Sequence, residues 1–101
     1  MLEKDITNQI MKYLKTVPLC FCWKQHGGQF GTAGLPDVIC CIGGRFVAFE
    51  VKTPGNRLTK LQENTITKIK ESKGEAFKVT GVKEVKEIIQ NLNLNGGPLH
   101  E

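Results

Sequence analysis

Apolar residues recur every three or four positions at Ile6, Ile10, Leu14 and Val17, the spacing of one helix face, and Pro18 then bars continuation. A first helix is predicted over residues 3–15. Leu19, Phe21 and Trp23 next alternate with Cys20, Cys22 and Lys24. A period of two is that of a strand, and its bulkier apolar side is expected to face inward. The segment HGGQFGTAG at 26–34 breaks both periods, and its glycines predict a flexible loop. Two runs rich in Val, Ile, Phe and Cys follow, over 36–42 and 45–53, separated only by Gly43 and Gly44. A Gly-Gly pair between such runs predicts a tight hairpin.

Pro54, Gly55 and Asn56 end the second run. A helix is predicted from near Thr59, where T-K-L-Q has capping-box spacing, through Ile66 and Ile69 to a stop at Gly74. A strand over 75–80 and a helix over 82–92, with Val85, Ile88, Ile89 and Leu92 apolar, complete the order αβββαβα. The chain has 101 residues, enough for one core of its own. It reads as a single domain over 1–92, with a flexible tail over 93–101. There are no internal repeats and no low-complexity tract.

Composition narrows this little: 40% hydrophobic and 24% charged residues are ordinary for a globular domain. A net charge of +4 suits a polyanionic partner and also suits many proteins that have none. The N-terminus MLEKDITNQI lacks an apolar run, and no long apolar stretch occurs elsewhere, so a soluble, cytoplasmic protein without membrane association is expected. Cys20, Cys22, Cys40 and Cys41 lack the C-x₂₋₄-C spacing of a zinc site, and Cys40 and Cys41 would point to opposite faces of a strand. Buried or half-buried free thiols are expected instead of zinc.

Chemistry concentrates in GLPDVICCIGGRFVAFEVK, residues 34–52. With Gly43 and Gly44 as the two turn residues, Ile42 faces Arg45, and counting back along both strands brings Asp37 opposite Glu50. Lys52 lies two residues beyond Glu50, on the same face. Opposed side chains have Cβ atoms about 5 Å apart, so two ionised carboxylates there repel. A positive group should sit between them: either Lys52, in an ordinary salt-bridge set, or a hard divalent cation that takes carboxylate oxygens and water. Ile39, Cys41, Phe46 and Ala48 on that face are apolar, as are the residues of the opposite face, so the hairpin is expected to be covered on both sides.

Taken in order, G-x-P-D at 34–37, the Gly turn, E-V-K at 50–52, Pro54-Gly55, Arg57 and L-T-x-x-Q at 58–62 resemble the VRR-NUC branch of the PD-(D/E)xK nuclease superfamily. The similarity spans about residues 3–80. It implies an α/β fold with a restriction-endonuclease-like αβββαβ core, a mixed four-stranded sheet flanked by helices, here with a further C-terminal helix. It also implies metal-dependent hydrolysis of DNA phosphodiester bonds, selective for branched, flap or Holliday-junction-like DNA in replication, repair or recombination. Stand-alone relatives of this size are often phage or bacterial, which places the expected cytoplasm in a bacterial cell or phage-infected host.

By the same resemblance, Asp37, Glu50 and the main-chain carbonyl of Val51 bind Mg²⁺ or Mn²⁺, with Glu3 near the metal from the first helix. Lys52 orients or helps deprotonate the attacking water and stabilises charge on the phosphate, and Gln62 positions water or lysine. Two of these residues have structural alternatives. Glu3 suits the first turn of a helix by its charge, and Gln62 suits the capping box of Thr59; that second role competes with the first for one side chain. Lys24, His26, Arg57 and Lys60 flank the site and are candidates for phosphate contacts, which position DNA without reading it. A homodimer would supply two sites for two strands. No nucleotide cofactor is expected, because GGQFGTAG does not form a dinucleotide fingerprint, which needs a preceding strand and a following helix. The alternative to an enzyme is an inactive DNA-binding module on a nuclease scaffold.

Overall fold

The computed structural model describes residues 1–26 and 33–92; the expected tail and most of the glycine loop lie outside them. Seven elements follow in the predicted order: α1 (Glu3–Leu14), β1 (Cys20–Lys24), β2 (Val38–Ile42), β3 (Arg45–Val51), α2 (Lys60–Glu71), β4 (Glu75–Val79) and α3 (Val82–Leu92). The strands form one sheet in the order β1-β2-β3-β4. The first two pairings are antiparallel, and β3–β4 is parallel. A parallel neighbour needs a crossover, and α2 supplies it.

Gly43 and Gly44 have φ of +56° and +85°, the left-handed pair of a two-residue hairpin turn. The register follows: Ile42 pairs with Arg45, and pairing runs back to Val38 opposite Phe49. One face of the sheet, with Val38, Cys40, Ile42, Val47, Phe49 and Val51, buries against Ile6, Ile10 and Leu14 of α1 and Val85 and Ile89 of α3. The other face carries Ile39, Ala48 and Ala76, which pack with Ile66 and Ile69 of α2 and with Leu58. The small Ala48 and Ala76 leave room for a helix to settle close on the strands.

Two burial expectations fail. In β1 the thin side faces inward: Cys20 and Cys22 pack on the core, while Phe21 and Trp23 are 70% and 41% exposed. Periodicity identifies a strand but not which face finds a partner, and α2 does not cover this edge. For the same reason the hairpin is not covered throughout, since Cys41 is exposed and Phe46 is 43% exposed. All four cysteines are free. Burial and then the neighbouring Cys22 thiol push Cys20 up to about 11, and burial raises Cys40 as well, which disfavours reactive thiolates.

Gly34 has φ +81°, and a Cβ there would lie 2.7 Å from Leu61 Cγ. This explains the glycine of G-x-P-D, for the chain entering β2 runs directly against α2. Gly34→Ala combines a left-handed backbone with a clash and is expected to destabilise by about 2 kcal/mol or more, read as a lower urea midpoint. Among the described residues no helix is long and apolar enough to cross a membrane.

Candidate active site

Asp37 stands immediately before β2. Its carbonyl accepts the Gln25 N–H at 2.8 Å, extending the β1–β2 ladder by one pair. Its side-chain Oδ2 accepts the Val51 N–H, also at 2.8 Å, in place of a further main-chain acceptor on β2. In extended backbone a residue's N–H and C=O leave the strand on the same side, so the Val51 carbonyl is also directed toward the Asp37 side. The hairpin register and this bond together bring Asp37 and Glu50 side by side.

Glu50 is 3% exposed, the buried charged residue of β3. Its Oε2 accepts Gln62 Nε2–H at 3.0 Å, and its Oε1 has no hydrogen-bond donor. The adjacent Asp37 carboxylate offers only acceptors, so the two groups can bond only by sharing a proton or a cation. Burial, then the hydrogen bond with and charge of Asp37, push the Glu50 carboxyl up to about 8. Glu3 adds to this and Lys52 opposes it. The half-buried Lys52 lies within 4.0 Å of neither carboxylate, since the ion pair among the described residues is Arg45–Glu75. Among the described residues the salt-bridge alternative therefore does not hold.

Gln62 forms the expected capping box and also reaches the carboxylate pair. Thr59 Oγ1 accepts the Gln62 N–H at 3.1 Å while Gln62 Oε1 accepts the Thr59 N–H at 2.9 Å, a complete capping box. That leaves Nε2 free to reach Glu50. The expected competition disappears because an amide has two ends. Gln62→Ala removes the side-chain half of the capping box, keeping the main-chain N–H bond to Thr59, and orphans the second oxygen of a buried carboxyl; it is expected to cost about 1–2 kcal/mol in urea unfolding.

A cavity of about 420 Å³ opens beside Asp37, lined by Glu3, Lys4 and Thr7 of α1 and by Lys24, Gln25 and His26 at the end of β1. Three candidates drawn from distant segments, Glu3, Lys24 and His26, thus line one cavity with Asp37. Lys24 Nζ also donates to Asn8 Oδ1 at 2.9 Å. Among the described residues no three of His, Cys, Asp and Glu converge to hold an ion by themselves. Any ion at Asp37 and Glu50 would therefore draw its remaining ligands from the Val51 carbonyl, water and substrate. Such hard, partly open oxygen sets suit Mg²⁺ or Mn²⁺, and the donorless Oε1 is the atom an ion would satisfy.

No family model matches this chain, and no curated protein matches it. Among solved structures, a protein described as a VRR_NUC domain protein has a TM-score of 0.75 with 21% sequence identity, over 89% of this chain and 86% of that chain. This chain has the VRR-NUC fold. In that fold α2 serves as the wall that delivers Gln62, while Arg57, before α2, and Lys60, its first residue, are exposed and line no part of the Asp37 cavity. The VRR-NUC sheet also places Lys78 directly beside Glu50 on β4. Sequence analysis passed over Lys78, together with Lys4, Thr7 and Gln25, because their nearness depends on a parallel register and on helix packing.

Proposed function

We propose that this protein is a Mg²⁺- or Mn²⁺-dependent deoxyribonuclease that hydrolyses phosphodiester bonds in branched, flap or junction DNA. The observation that carries this reading is Glu50: a buried carboxyl with one donorless oxygen, held against Asp37 with no basic side chain in ion-pair contact among the described residues. A structural role alone would favour an apolar or amide side chain at such a place.

Asp37, Glu50 and the Val51 carbonyl would hold the ion, which supplies polarisation of the phosphoryl oxygen and acidification of water. The chain's own residues do the rest. Val51 N–H anchors one carboxylate and Gln62 the other, so both ligands are oriented before substrate arrives. Lys52, unpaired with these carboxylates, keeps its charge available for the negative charge that develops on the phosphate. Lys24 and His26 line the adjoining cavity and would contact flanking phosphates. Two copies would offer two sites for a symmetric junction.

A cleavage panel of single-stranded, duplex, flap and four-way-junction DNA, with and without Mg²⁺ or Mn²⁺, tests the reading. Metal-dependent hydrolysis that favours the branched substrates is expected. A folded protein that binds DNA yet cuts none of the panel would leave a DNA-binding module.

A further inference from the structure

The β1 edge raises a question that the carboxylates do not answer. Phe21 and Trp23 stand on one edge strand, 70% and 41% exposed, with ring centroids 5.5 Å apart. Proteins avoid exposed apolar side chains on edge strands, where they invite pairing with other chains, so a retained aromatic pair calls for an occupant. The register shows where that pair points. Trp23 pairs with Ile39, and the next pair on that face is Gln25 with Asp37. Paired residues share a face, so Phe21 and Trp23 lie on the same face of the sheet as Asp37, Glu50 and Lys52. Two residues along and one strand across put the Trp23 Cα about 8 Å from that of Asp37.

We propose that Phe21 and Trp23 form a stacking platform for unpaired bases adjoining the phosphate held at Asp37 and Glu50. This rests on the nuclease reading and adds a substrate requirement, a strand whose bases are free of a duplex. Two exposed aromatic rings, tilted by 46° to each other, can each accept any base by stacking. Lys24, the next residue but on the opposite face of β1, lines the Asp37 cavity at the end of the strand, and the chain's net charge of +4 favours a polyanionic strand. Bases in a duplex are already stacked on each other and cannot use the platform without unpairing. A second copy of this chain is the competing occupant, but the rings share a face with the Asp37 and Glu50 carboxylates, where a bound strand has to pass, and a chain of net charge +4 repels its own copy while attracting a polyanion.

Trp23 is the chain's single tryptophan, so its fluorescence reports this site alone. Short single-stranded oligonucleotides are titrated in metal-free buffer, with fluorescence anisotropy of the labelled DNA followed in parallel. Quenching of Trp23 by single-stranded DNA and not by a blunt duplex of the same sequence is expected. Trp23→Ala should weaken single-strand binding roughly tenfold while Trp23→Phe retains most of it, with duplex binding unchanged for both. If single-stranded DNA binds without quenching, or Trp23→Ala weakens duplex and single strand alike, the platform is wrong while the nuclease reading stands. A wild-type dimer in sedimentation that Trp23→Ala converts to monomer, with no quenching by DNA, would assign the patch to a second copy and also overturn it. Absence of metal-dependent cleavage with quenching intact would remove the nuclease reading alone.

Discussion

Glu50→Ala and Lys52→Ala are each expected to lower Mg²⁺-dependent DNA cleavage by about a thousandfold or more while the protein remains folded. Metal and fixed-charge stabilisation of a reacting phosphate are each worth several kcal/mol, and about 1.4 kcal/mol corresponds to tenfold in rate. The two losses have different origins. Glu50→Ala removes one of the two side chains proposed to hold the ion, so added Mn²⁺ at high concentration should restore part of the rate. Lys52 touches neither carboxylate as an ion pair, so Lys52→Ala should leave metal affinity nearly unchanged and no amount of metal should rescue it. Circular dichroism and thermal melts verify folding. Cleavage that persists in both variants would place the chemistry elsewhere.

Without divalent metal, stability should fall as pH rises from about 4.5 to about 8, and Glu50→Gln should flatten that slope. The folded-state carboxyl is raised to about 8 from an ordinary 4.5. Between these values the folded protein keeps a proton that the unfolded chain has released, so the unfolded state binds fewer protons and unfolding becomes easier with rising pH. The loss begins near pH 4.5 and is complete above about 8. Each tenfold in acidity is worth about 1.4 kcal/mol, so the effect amounts to a few kcal/mol. The Glu50→Gln amide keeps an acceptor for Gln62 and offers Asp37 a donor, so its metal-free melting temperature at pH 8 should exceed the wild-type value by roughly 10 °C. Mg²⁺ or Mn²⁺ should raise the wild-type melting temperature at pH 8 and leave that of Glu50→Gln almost unmoved. Parallel melting of the two proteins across this range would show that Glu50 bears no buried charge penalty.

Both expectations depend on one short stretch whose geometry was largely legible beforehand. Gly43 and Gly44 define the turn, the turn sets the register, and the register carries Asp37 to Glu50. Each step is local, and local steps survive being read from spacing alone. Gln62 was legible only in part. Its capping-box spacing was visible, but the bond to Glu50 requires α2 to lie close on Ala48 and Ala76.

The sequence by itself determined the element order, the hairpin register and the pairing of two carboxylates, because these follow from periodicity and turn chemistry over a few residues. Tertiary structure decided which face of each element was covered. Side-chain alternation is symmetric between the two faces of a strand, and the placement of the helices breaks that symmetry: α1 and α3 cover one face, while α2 covers only part of the other. That placement buries Glu50 beside Gln62 and leaves Phe21 and Trp23 in the open. It also brings Lys78 alongside Glu50 through a parallel pairing that closes across the whole of α2.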